Sequence, residues 1–142
     1  MEGWKMKNSR FSIIDTNVLV RVITNDVARQ AEKARELLLS NEKIFFVPEI
    51  VIFECLYILQ GERYGIPRKK AIEAVRKVLS LPRIDYDEAV MNPALDFYEE
   101  HPALSFADCY LKCLAENREM LPVWTFDKKL VNQAKGTAKK VG

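Results

Sequence analysis

The stretch SIIDTNVLVR, residues 12–21, carries a short apolar run straight into a segment with helical spacing, and an acid, Asp15, stands at the junction. RFSIIDT reads as a short buried strand of aromatic and β-branched residues, and VLVRVITN takes up the three-and-four spacing of a helix. A strand that passes at once into a helix opens a βαβ unit. The alternation then repeats along the chain.

DVARQAEKARELLLS sets Ala31, Ala34, Leu37 and Leu38 on an inward helix face that stops near Ser40 and Asn41, and KIFFVP is a second strand. Pro48 can open the next helix, where no amide hydrogen is missed, and EIVIFECLYILQGERYG runs to Gly61 or Gly65. PRKKAIEAVRKVLS turns Ala71, Val75, Val78 and Leu79 inward. PRIDYDE is a weakly marked strand, and in EAVMNPALDFYEEH Pro93 either kinks one helix or starts another after Asn92. SFADCYLKCLAENRE is a helix, MLPVWTF a strand, DKKLVNQAK a short helix and TAKKVG a last edge strand. Strands alternating with helices predict an α/β fold, a three-layer α/β/α sandwich with a mostly parallel central sheet.

The chain of 142 residues fits one domain with one core. Its 49% hydrophobic and 30% charged fractions belong to a globular protein, and no apolar stretch approaches the roughly 20 residues a membrane-spanning helix needs. MEGWKMKNSR lacks the apolar core of an export signal, so residues 1–10 read as an extension before a domain over 11–142, and the expected location is cytoplasmic. A net charge of +2 provides no global basic field for nucleic acid. Cationic runs at WKMKNSR, PRKK, DKKL and KGTAKK are, each by itself, most simply solvated surface. Cys55, Cys109 and Cys113 are odd in number and lie in apolar helical segments, against a disulfide framework.

In an α/β sheet, ligands bind beyond the carboxyl ends of the strands, where Asp15 and Asp127 both fall. Each also precedes a helix, so each can be a plain N-cap. Asp108 has its own structural explanation, because SFAD fits a capping box led by Ser105. Glu54 resists one. Its helical neighbours Ile50, Val51, Tyr57 and Ile58 are largely apolar, which predicts a carboxylate on a buried face in need of a cation or a proton. Four carboxylates meeting in one pocket would suit a hard cation, Mg²⁺ or Mn²⁺, of the kind that activates water for phosphodiester cleavage.

The order IIDTNVLVR, FECLYIL, SFADCYLKCLA and TFDKKL resembles the PIN-domain nucleases, and especially the VapC-type toxins of prokaryotic toxin–antitoxin pairs, from about Phe11 to the C-terminus. The resemblance implies that Asp15, Glu54, Asp108 and Asp127 hold one or two Mg²⁺ or Mn²⁺ ions and the attacking water. It makes Thr16, Asn17, Ser105 and Thr125 the groups that orient those carboxylates. It further implies an endoribonuclease acting on RNA, a homodimer, and an antitoxin whose tail covers the acidic groove. Two features depart from the family: Pro122 stands where a glycine often precedes the last strand, and the N-terminal segment is longer than usual. Arg21, Lys128 and Lys129 are the cations nearest these acids in sequence and the candidates for RNA backbone contacts.

Other readings are weaker. An aspartyl-phosphate phosphatase would want a second acid where Asn17 stands. A zinc site from Cys109, Cys113 and His101 lacks a fourth ligand, and a single histidine beside Pro102 does not support histidine acid–base chemistry. A housekeeping RNA-processing nuclease and a catalytically inactive binding module of the same fold stay open as alternatives.

Overall fold

The structure is a computed structural model that describes residues 10–40 and 43–142. The extension over residues 1–10 therefore falls almost wholly outside the described residues, as does Asn41. The chain divides into two compact units, Met1–Tyr86 and Asp87–Gly142.

The first unit contains β1 (Phe11–Ile13), α1 (Thr16–Thr24), α2 (Ala28–Leu38), β2 (Ile44–Phe46), α3 (Glu49–Gln60), α4 (Arg68–Leu79) and β3 (Ile84–Asp85). Its three strands run parallel in the order β1-β2-β3, with Phe11 opposite Ile44 and Phe45 opposite Ile84. Parallel neighbours need crossover connections, and the helices supply them. Helix α1 packs on α2, α3 and α4. Leu19, Val20, Ile52, Cys55, Leu59 and Ile72 form the dry centre, all at most 1% exposed. The inward face of α4 holds Ala71, Val75, Val78 and Leu79, as its spacing predicts.

Leu37 and strand β1 depart from expectation in this unit. Leu37 is 44% exposed, because it lies about a third of a turn round the helix from Ala31, whereas Leu38 lies almost directly over it. Strand β1 is not buried along its length: Phe11 and Ile13 are exposed, and burial begins only at Ile14. The strand lies at one margin of its three-stranded sheet, with β2 as its partner there.

The second unit contains α5 (Glu88–Glu100), α6 (Phe106–Asn117), β4 (Val123–Thr125), α7 (Lys128–Gln133) and β5 (Ala138–Lys140). Strands β4 and β5 are parallel, with Trp124 opposite Lys139, and a cis Leu121–Pro122 peptide precedes β4. Helices α5 and α6 pack together around Val90, Leu95 and Cys109, while Tyr98 meets Phe106 edge to face at 5.3 Å. Pro93 does not divide α5; the helix runs through it, with the proline ring on the exposed side. His101 stacks on Phe97 at 3.7 Å, and its Nδ1 lies 2.9 Å from the Phe97 carbonyl oxygen, so the lone histidine closes a helix end. Every strand pairing is parallel, and the architecture is α/β as the alternation predicts. No helix among the described residues is long and apolar enough to cross a membrane.

Candidate active site

In the first unit, Asp15 follows buried Ile14 just past the end of β1, in extended backbone, and its Oδ1 accepts the amide of Asn17 at 3.2 Å. It is thus the N-cap of α1, and it projects into solvent. The next residue, Thr16, is buried, and its hydroxyl donates to Glu54 Oε2 at 3.1 Å. One threonine therefore ties the helix-borne glutamate to the strand end that carries Asp15.

Glu54 is exposed, which overturns the expectation of a buried face. At 100° per residue Ile50, Glu54 and Tyr57 share one side of α3, and Ile50 and Tyr57 are 56% and 81% exposed. Val51, Ile52, Cys55, Leu56 and Leu59 carry the packing on the other side. The carboxylate is thus open to solvent.

In the second unit, Ser105 and Asp108 form the capping box that SFAD predicts: the Asp108 amide donates to Ser105 Oγ at 3.2 Å, and the Ser105 amide to Asp108 Oδ2 at 3.4 Å. Asp127 lies two residues beyond β4 and caps α7, its Oδ1 accepting the Lys129 amide at 2.8 Å. Thr125 Oγ1 accepts the Asp127 amide at 2.9 Å and so fixes the turn on which the acid stands.

The four acids share one pattern. Each commits a single oxygen to one protein donor (Oδ1 of Asp15, Oε2 of Glu54, Oδ2 of Asp108, Oδ1 of Asp127) and makes no ion pair with a described residue. The second oxygen of each remains available. Carboxylate oxygens of this kind are the donors a hard divalent cation takes. Among the described residues, however, no three carboxylate, histidine or cysteine side chains are grouped so as to hold a metal ion.

Of the candidate cations, Lys128 and Lys129 are exposed and make no ion pair with described residues. Arg21 is already engaged: it donates to Gln30 at 2.8 Å and pairs with Asp26 at 3.5 Å. Asp26 escaped the sequence reading. It gathers Tyr64 at 2.6 Å, Arg63 at 2.8 Å and Thr24 at 2.9 Å, and no local spacing announces partners 37 and 38 residues away. The Tyr64 hydroxyl, helped by Thr24, Arg21 and Arg63, holds its carboxyl below the usual range against the opposing effect of lost hydration.

Cysteine chemistry is disfavoured. All three cysteines are buried and none forms a disulfide among the described residues, and burial pushes Cys55 up to about 12 and raises Cys113.

A comparison with family models matches the PIN domain over residues 12–136, a span that takes in all four acids and runs through both units. The chain belongs to the PIN domain family. The PIN domain is in general a nuclease fold, and PIN nucleases generally use divalent metals. No curated protein gives a significant match to this PIN domain.

Proposed function

We propose that the chain is a metal-dependent endoribonuclease that hydrolyses RNA phosphodiester bonds, acting as the VapC-type toxin of a toxin–antitoxin pair. The observation that carries this reading is the PIN match across Asp15, Glu54, Asp108 and Asp127, together with the freedom of all four from ion pairs. Residues 11–142 serve as one nuclease domain, and these four acids hold Mg²⁺ or Mn²⁺. When bound, the metal activates water and neutralises the leaving oxyanion.

The chain's own groups do the rest. Thr16 steers Glu54 through its hydroxyl, Asn17 fixes Asp15 through its amide, and Ser105 and Thr125 set the helix starts of Asp108 and Asp127. Lys128 and Lys129 offer unpaired charge to the phosphate backbone beside Asp127. Arg21 can do so only in exchange for Asp26. A homodimer, a cognate antitoxin and a cytoplasmic setting complete the reading.

The test is cleavage of a mixed cellular RNA pool by the purified protein with Mg²⁺ or Mn²⁺, against EDTA and against Asp15→Asn. Cutting that both controls abolish supports the proposal. A folded protein that neither cuts nor binds Mn²⁺ overturns it in favour of a binding module. Induced expression separates the toxin from a housekeeping enzyme, since only the toxin arrests growth in a manner that Asp15→Asn relieves.

A further inference from the structure

Tyr57 is the most exposed large apolar side chain among the described residues, at 81%. It stands on α3, a helix whose opposite side is fully committed to the core, and its side chain makes no hydrogen bond, ring contact or ion pair there. It is not alone on its face. Glu54 lies one turn before it and Ile50 one turn before that, so a carboxylate sits between two exposed apolar groups. Thr16 holds that carboxylate from one side, and Tyr57 leaves the helix backbone about 4.5 Å further along the axis than Glu54.

From this juxtaposition we infer that Tyr57 is a stacking platform for one base of a single-stranded RNA whose backbone passes Glu54. The inference rests on the nuclease reading and adds to it a residue that positions the substrate. Three physical points favour a base as the occupant. An aromatic ring with a free face stacks on any base, whatever its identity. A duplex keeps its bases stacked on one another, so the ring selects an unpaired strand. The rival occupant, the same face on a second copy of this chain, would press Glu54 into an apolar contact with Ile50 and Tyr57 around it. Burying a carboxylate with one hydroxyl partner and no cation is costly. A base on Tyr57 covers the ring and leaves Glu54 facing the backbone and solvent.

Tyr57 is accordingly a positioning residue whose removal acts on binding more than on the chemical step. The experiment measures the Kd of labelled single-stranded oligoadenosine in EDTA, KM and kcat for its cleavage with Mn²⁺, and the sedimentation coefficient, for wild type, Tyr57→Ala and Tyr57→Phe. The expected result is a rise of about tenfold in Kd and KM for Tyr57→Ala, the size of one lost base stack. Expected with it are a kcat within about twofold, wild-type behaviour for Tyr57→Phe, and no change in sedimentation for either variant. Wild-type Kd and KM for Tyr57→Ala, in a protein that cuts RNA, overturn the stacking while leaving the nuclease reading intact. A drop in sedimentation coefficient for Tyr57→Ala assigns the face to a second copy and overturns the stacking too. A wild-type protein that neither binds nor cuts RNA overturns both. Because the side chain is exposed, loss of fold does not confound Tyr57→Ala.

Discussion

Asp108 and Glu54 are both helix-borne carboxylates partnered by a hydroxyl residue, yet they are held in opposite ways: Asp108 accepts the backbone amide of Ser105, and Glu54 the hydroxyl of Thr16. Asp108 and Ser105 are three residues apart and satisfy each other within a single helix start. Glu54 depends on Thr16, 38 residues earlier, on another helix altogether. The first arrangement stabilises its own helix wherever that helix is placed. The second exists only once α1 and α3 have packed. A carboxylate that accepts a hydroxyl across the fold, on an exposed face where it gains little stability, is held for direction more than for strength.

The sharpest way to break this contrast is to remove a carboxylate outright. Asp15→Asn keeps a cap for α1, since asparagine caps as well as aspartate, but loses the charge. RNA cleavage is expected to fall by more than about 100-fold, beyond what losing a group that merely orients a ligand causes, with the melting temperature nearly unchanged. Next come the two hydroxyls. Thr16→Val leaves Glu54 unsteered and should lower cleavage by roughly 10- to 100-fold, with Thr16→Ser restoring most of it. Ser105→Ala should show itself first in stability, at about 1 kcal/mol by urea denaturation, because it deletes a cap. Equal stability losses with equal activity losses in the two variants would erase the distinction.

A smaller effect comes from Asp26. Its folded pKa lies below the ordinary 3.8, so its contribution to stability is fully present above that value and is lost as pH falls through the folded pKa. Between about pH 5 and pH 2.5 the melting temperature of wild type should fall further than that of Asp26→Asn, which has no such proton to take up. The smallest effect is on the thiols: with Cys55 at about 12, native protein should resist alkylation at neutral pH and react promptly once unfolded.

What the sequence disclosed follows the same division between local and distant. SFAD could be read as a capping box because both partners lie within one turn, and Asp15 and Asp127 as caps because the residue type and the following helix suffice. The alternation of strands and helices was plain too, although PRIDYDE, where the two-residue β3 lies, marks its strand only weakly. The exposure of Glu54 was hidden, since α3 is apolar nearly all round and periodicity alone does not choose which side meets the core. For the same reason Phe11 and Ile13 read as buried: strand pattern reports residue type and not which neighbours the strand acquires. Pro93 was undecidable because a proline on the exposed side of a long helix is tolerated when packing on the other side outweighs the lost bond. The Asp26 cluster joins residues from both halves of its unit, and no window of sequence contains it.

That proline also bears on how the protein can be altered. In α5 the amide that should reach the carbonyl of Ala89 does not exist, and the helix forms nonetheless. A helix that tolerates a defect costing about 3 kcal/mol in an unsupported context is held by its contact with α6, not by its own propensity. The chain therefore has thermal headroom at residue 93: an alanine there restores the missing bond on an exposed surface. A sturdier host made this way would let damaging substitutions at Thr16 or Glu54 be studied in molecules that still fold.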